Sequence, residues 1–504
     1  MAPRRGVAVL VVLLAISVAM AISYSVMRSE GTARRIDDNT QLREAARRAA
    51  HSGLAMGIRR MHDAAAWEGV EGMYDETVEL DANFDASFVV TYKSGDHRLD
   101  PDNLGDLSPV EYALRVTLAV TGTATDPADP NRIANQKIEA VVQLVPRKLA
   151  DRPEHWETLT HYTVCHSTPG QSGSFNLNVP VQIEGDVRVR SQLNLSQDLN
   201  WSDEARARYF ADLGLLADEG IDWRPVTGRV DFHKPIQEGK TLEFLESMDI
   251  EARETLDLAD YAWPDPPGSL GYRLFAGGRR YYPTEVPKDL QEVELGPDPL
   301  LNPLGIFRRS NTVCLREDVV LAGMLTTSRD LHFHDPGADL RPIELPGPEG
   351  PMQLPTLVSD RKTIVYDEAI ANVRGMLLVG DTFEVRSAPQ SQNQFFLQGK
   401  LAAKELDVQP RAQWNRTSNW WDSRYEAFLA QEHGIDGIPL WPIWLLSRWD
   451  LDPEAAVVLR SEEEPVEYHW QDQWDAIYVP GDGDEGLRWE LLDWQEKQEP
   501  QAGG

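Results

Sequence analysis

A glycine-centred unit recurs along this chain and restricts its fold more than any other feature. Ile183-Glu184-Gly185-Asp186-Val187 leads to Leu193-Asn194-Leu195, and Leu321-Ala322-Gly323-Met324-Leu325 leads to Leu331-His332-Phe333. Val373-Arg374-Gly375-Met376-Leu377 leads to Phe383-Glu384-Val385, and a shorter copy runs from Leu397-Gln398-Gly399-Lys400-Leu401 to Leu406-Asp407-Val408. Each copy sets an apolar residue two before and two after the glycine, then closes on an apolar-polar-apolar triplet. A glycine at one fixed step implies a turn with positive φ or a close backbone approach, and the alternation implies short strands with one face inward. A strand-turn unit unable to bury its own face must stack on its neighbours, so a parallel β-helix (β-solenoid) is expected over residues 151–410. Gly375 and Gly399 are 24 residues apart, about one coil, and Gly323 to Gly375 spans 52, about two coils or one coil with a loop. The 138 residues between Gly185 and Gly323 must then hold a large insertion, expected at about 196–310. Within it Ser202 to Ala217 reads as a helix and Pro264-Asp265-Pro266-Pro267-Gly268 as a turn or linker. An ordinary sandwich whose strands share glycine turns is the plainer alternative.

The N-terminus adds a second constraint. Arg4-Arg5-Gly6 opens an uncharged run to Met27, 22 residues that would reach about 33 Å as a helix, enough to cross a hydrocarbon core of roughly 30 Å. No proline occurs between Pro3 and Pro101, and 28–62 is rich in Ala, Arg and Leu, so one membrane and amphipathic helix is expected over 1–62. Leu42, Ala46, Ala49 and Gly53 form one stripe on it, and Ala50, Leu54, Gly57 and Met61 another. Small residues at that spacing let helices approach closely. The same residues also fit a cleavable secretion signal, with Ala19-Met20-Ala21 as a small-x-small cleavage site.

Gly6, then Val7 and the run Ala8-Val9-Leu10-Val11-Val12-Leu13, resembles the start of type IV pilin-like proteins, particularly PilX-like minor pilins and the K-type minor pseudopilin of type II secretion. The resemblance implies prepilin processing between Gly6 and Val7, and a membrane anchor from Gly6 and Val7 through Val11 to Met27. Ala49-Ala50-His51-Ser52-Gly53-Leu54 resembles the Ala-rich segment of those minor subunits. Major pilins place a glutamate at the fifth mature position, where this chain has Val11, so the resemblance implies a minor, tip-type subunit. The glycine-turn rungs also resemble those of bactofilin-type polymer-forming proteins.

Between these two regions, residues 63–150 read as a small antiparallel segment completing a pilin-like α+β domain. The expected strands are Ala86 to Tyr92, Glu111 to Thr125 and Gln136 to Val145, with alternation at Tyr112, Leu114, Val116, Leu118 and Val120. The last region, 411–504, is acidic and holds ten of the fifteen tryptophans. Such aromatics fill a small core or cap a solenoid, or else form a binding face, for which Trp420 and Trp421 are the candidates.

Charge and chemistry narrow the function classes. Residues 1–60 carry a net +6 and the remaining 444 residues −38, a body that is solvated and repels nucleic acid and anionic surfaces. Arg28, Arg34 and Arg35 flank the far end of the apolar run, so export of the acidic body is read from the leader and not from loop charge. The two cysteines, Cys165 and Cys314, fit either a disulfide or two buried thiols. Stacking the closing triplets aligns Asn194, His332, Glu384 and Asp407. Glu384 and Asp407 on adjacent coils would stand roughly 5 Å apart, a candidate acid pair for glycoside hydrolysis. Outward strand positions are also polar simply because they meet water. His332-Phe333-His334-Asp335 puts two histidines on one strand face without an evident third ligand, and Asp482-Gly483-Asp484-Glu485 lacks the spacing of a calcium loop, so no metal and no cofactor is expected. The expectation is therefore a mainly β, non-enzymatic envelope protein, anchored by one helix in the inner (cytoplasmic) membrane with its bulk exported. Its expected partners are the membrane and other pilin-like subunits or envelope proteins, with no nucleic acid. The competing class is an exported carbohydrate-binding or polysaccharide-degrading β-helix.

Overall fold

A computed structural model describes residues 5–63, 67, 69–70, 78–81, 85–153, 156–177, 181–195, 226–232, 250–254, 267–268, 270–386, 393–408, 457–462, 466–470, 474–479 and 488–497. The chain is mainly β, with a long N-terminal apolar helix and a large parallel sheet. The expected helix at 202–217, the 482–485 loop, Trp420 and Trp421 lie outside the described residues, as does most of the turn at 264–268.

Helix α1 (Arg5–His62) runs unbroken for 58 residues, about 87 Å. From Val9 to Gln41 every side chain is exposed, whereas all eight residues of the two small-residue stripes are buried. They lie on the chain's own sheet. That sheet comprises β1 (Val78–Asp81), β2 (Asp85–Ser94), β3 (Arg115–Asp126) and β4 (Asp129–Val145), an antiparallel meander in sequence order. Alternation along β3 aims Val116, Leu118 and Val120 at the core, each at most 1% exposed. The contact with α1 is close: a Cβ on Gly53 would lie 2.6 Å from Val120 Cγ1, and one on Gly122 2.3 Å from the Ala46 carbonyl oxygen. The stripes, expected to allow close approach, are thus covered by the chain's own sheet. The strand expected from Glu111 starts instead at Arg115. Ser108 and Glu111 form a capping box, with Pro109 at the first position, and start helix α2 (Pro109–Ala113) there.

A fifth strand, Arg488–Lys497, completes this sheet from the far end of the chain by pairing antiparallel with β4. Trp489 on it is buried against Trp67 and Phe275, and its indole donates to the Met61 carbonyl at 2.9 Å. Arg47 and His51 on α1 meet Glu496 on the same strand.

Where β2 leaves the sheet, the buried Asp96 accepts hydrogen bonds from Arg98 and Arg115. Burial pushes its carboxyl up, but the bonds from Arg98 and Arg115 outweigh that and hold the pKa at about 2. The ordinary value is 3.8, so the stabilisation from Asp96 is complete above that pH and is lost as pH falls through about 2. Asp96→Asn is expected to lower stability at neutral pH and flatten the acid limb of the unfolding midpoint between about pH 4 and 2. An unchanged acid limb would show that other carboxylates carry it.

Helix α3 (Trp156–His161) leads from this domain into a 19-stranded sheet arranged as three parallel ladders. The first contains Thr284–Glu285, Ile306–Arg309, Met324–Thr327 and Leu357–Ser359, followed by residues 377–379 and 401–403. The second contains Asp289–Leu290, Val313–Leu315, Leu331–Phe333 and Thr363–Val365, followed by 383–385 and 406–408. The third contains Val293–Leu295, Val319–Ala322 and Pro336–Arg341, followed by 370–373, 394–398 and Val457–Arg460. The chain visits the ladders in turn, and Ile370–Val385 and Gln394–Val408 each pass through all three, with Gly375 opposite Gly399. All four repeat glycines have positive φ. A Cβ on Gly399 would lie 1.9 Å from the Gly375 carbonyl oxygen, so the turn excludes a side chain. The step from Gly323 to Gly375 spans two successive pairings of the first ladder, Leu325 with Leu357 and Leu357 with Leu377.

The order along the ladders is not the order along the chain. Residues 164–166, 175–177 and Val181–Glu184 pair beyond 401–403, 406–408 and Val457–Arg460, and residues 187–189, Val230–Phe232 and Ala252–Glu254 follow them. Val230–Phe232, Ala252–Glu254 and the strands from Thr284 to Arg309 therefore belong to the ladders, although they fall within the stretch expected as an insertion. Apolar residues from all three ladders meet inside, with Phe333, Phe383 and Phe395 in edge or tilted contact. The outward residues of the first ladder, among them Met324, Leu378, Ala402 and Cys165, join the core of the N-terminal domain. Parallel strands buried on both faces need such continuous apolar runs.

Candidate functional site

Gly6 and Val7 lie in the first turns of α1, Val11 is 57% exposed and Met27 72%. From Val9 to Met27 every residue is exposed, and among the described residues this is the one helix long and apolar enough to cross a membrane. In water such exposed side chains forgo roughly 1.5–3 kcal/mol each of transfer free energy. The helix is thus divided by function: small residues where it meets the sheet, bulky apolar ones where it meets nothing.

The second surface is the outer row of the second ladder. In register along it stand Asp289, Cys314, His332, Ile364, Glu384 and Asp407, and the backbone pairing continues through Asn176 and Asn194. The four polar residues aligned from the closing triplets, Asn194, His332, Glu384 and Asp407, do lie in this one row. Glu384 and Asp407 are direct neighbours. Glu384, however, is nearly buried between cations: Arg386 donates to it at 2.6 Å and Lys362 at 3.4 Å. Burial pushes its carboxyl up, but the Arg386 hydrogen bond and the charges of Arg386 and Lys362 outweigh it, leaving it below the usual range. A general acid must hold its proton near neutral pH, and these partners oppose that. They make Glu384 a fixed anion within the wall.

Arg386 also lies over the Tyr366 ring at 5.1 Å, and Tyr366 stacks on His334 at 4.3 Å between centroids. His332 and His334, expected to lack a third ligand, have Cys314 beside them on the preceding coil. Burial lowers both imidazoles and raises the thiol from their ordinary values. Val313-Cys314-Leu315 is itself an apolar-polar-apolar triplet 18 residues before Leu331-His332-Phe333. That spacing was the available signal, and so was Gly305, which precedes Cys314 by nine residues as Gly323 precedes His332 and also has positive φ; only Pro303, two before it, breaks the apolar pattern of the unit. Cys165 faces the N-terminal domain from the first ladder, and both cysteines are buried and outside any disulfide.

The described tryptophans of the C-terminal region mostly pack. Trp470 is fully buried, stacks on Trp156 and meets Trp474 edge-on, while Trp494 remains 44% exposed.

No family model matches the chain, and no curated protein matches it. Among solved structures, the competence-associated pilin ComZ from Thermus thermophilus aligns over 91% of this chain and 98% of its own, at 12% identity. The TM-score is 0.18, too low to carry an argument about this chain.

Proposed function

We propose that this chain is a membrane-anchored, exported cell-envelope protein of pilin-like build, acting as a structural or assembly subunit and not as an enzyme. One observation carries the reading: α1 is a single helix whose first half is bare and apolar and whose second half is seated by Ala and Gly on an antiparallel sheet. A core helix would be buried throughout, and a discarded signal would not continue without a break into a domain. The minor-subunit assignment rests on the Gly6-Val7 junction and on Val11, where a major pilin has glutamate. Because the small-residue stripes are covered, contacts with other pilin-like subunits fall to the exposed first half, residues 9–41.

The three ladders are best read as a β-solenoid. The support is the return of every third strand to the same ladder and the positive φ of Gly185, Gly323, Gly375 and Gly399. Such a body offers a rigid acidic surface held away from the membrane, comparable in its rungs to bactofilin-type polymers. The ion pairs on Glu384 favour this structural role over hydrolysis.

The test is the N-terminal residue and intact mass of the protein isolated from its native envelope. A chain beginning at Val7 with a modified amino group is expected. One beginning after Ala21, or retaining its leader, would overturn the pilin-like processing.

A further inference from the structure

We propose that Cys314, His332 and His334 form a binding site for a divalent cation that prefers thiolate and imidazole, with Zn²⁺ as the reference ion. The site is built by parallel register. Cys314 lies in Val313–Leu315 and His332 in the strand of the next coil, paired Cα to Cα, so their side chains leave the wall side by side. His334 follows two residues later and returns to the same face. One donor atom from each residue lies within 4.8 Å of the other two, and Cys314 Sγ is 3.9 Å from His332 Nδ1.

These distances suit one ion. Zn–S of about 2.3 Å and Zn–N of about 2.0–2.1 Å in a tetrahedron place sulfur and nitrogen about 3.5 Å apart. The cluster needs to close by only a few tenths of an ångström on that edge. Cys314 is buried and both histidines are half-buried, so the pocket is shielded yet reachable from solvent. The donor set, one sulfur and two ring nitrogens, selects zinc or copper over magnesium and calcium, which take oxygen. Stacking on Tyr366 holds the His334 ring, and Arg386 over Tyr366 holds that ring in turn. Asp289 stands in register with Cys314 on the preceding coil and is the nearest further donor in the row, at the cost of its 3.4 Å ion pair with Arg316. An ion here would add a tie between coils already joined by backbone pairing, the inner core and the ion pairs of Arg316 with Asp289 and Asp335.

The experiment uses the full chain in detergent, stripped with a chelator and titrated with Co²⁺, then competed with Zn²⁺. One equivalent of Co²⁺ producing a thiolate-to-cobalt charge-transfer band, displaced by Zn²⁺, is expected. Cys314→Ser should abolish the band, Cys165→Ser should leave it, and His334→Ala should weaken Zn²⁺ binding by about 100-fold or more. His334 lies at the half-exposed end of the site, so its variant keeps the reading decidable if Cys314→Ser folds poorly. No band in the wild-type chain, a band that survives in Cys314→Ser, or unchanged Zn²⁺ affinity in His334→Ala would each overturn the proposal.

Discussion

Gly122→Val is expected to force α1 off its sheet and cost the N-terminal domain about 3 kcal/mol, the upper end of the usual penalty for overpacking. Gly122 lies in mid-β3, opposite Phe88 and Gln136, so the sheet holds it from both sides. A Cβ there would lie 2.3 Å from the Ala46 carbonyl oxygen and 2.4 Å from the Ala50 amide nitrogen. Both are backbone atoms of α1, which no rotamer change can move, so the whole helix must shift and release Ala46, Ala49 and Ala50 from the core. The denaturant midpoint should fall, and trypsin should cut at Arg47 and Arg48. Gly31→Val is the control, because nothing lies within 4 Å of that position, and its effect should stay within about 0.5 kcal/mol. Equal midpoints for the two variants would refute the helix-on-sheet packing.

Trp489→Ala is expected to cost about 3–5 kcal/mol, as for other large buried aromatics. The indole is 4% exposed, meets Trp67 at 5.6 Å and Phe275 at 5.5 Å, and satisfies the Met61 carbonyl in the last turn of α1. Its removal leaves a cavity and an unpaired carbonyl together, so the two penalties add. Hydrogen exchange on β4 gives the readout, because loss of Arg488–Lys497 turns β4 into an open edge. Faster exchange at residues 137–145 is expected, while Leu492→Ala, at a 42% exposed position of the same strand, should leave it near wild type. Unchanged exchange in Trp489→Ala would mean that the sheet closes without this strand.

Several elements were legible because their signals are local. The proline-free apolar run specifies α1, and period-two alternation specifies β3, apart from its start, where Ser108, Pro109 and Glu111 initiate a short helix before Arg115. The glycine unit coincides with positions of positive φ, and its closing triplets carry His332, Glu384 and Asp407, which fall in one register row. Cys314 was legible only by its spacing, 18 residues before His332 and nine after Gly305, because Pro303 replaces the apolar residue two before that glycine and hides the copy. The Ala/Gly stripes signal a close-packing surface, and the partner that fills it is the chain's own antiparallel sheet. Spacing says that something approaches closely and does not say what.

The amino-acid sequence by itself determined an apolar helix, a surface of small residues on its continuation, and repeated short strands with glycines at a fixed step. Only the tertiary structure decided that the strands at 164–166, 175–177, 181–184, 187–189, 230–232 and 252–254 stack beyond residue 401, and that Arg488–Lys497 returns to the first sheet. The reason is that parallel rungs present the same apolar interior and the same backbone pairing on either edge, so the local pattern fits many stacking orders equally well. The choice among them rests on contacts hundreds of residues apart, such as Trp489 with Met61 and Leu401 with Val164.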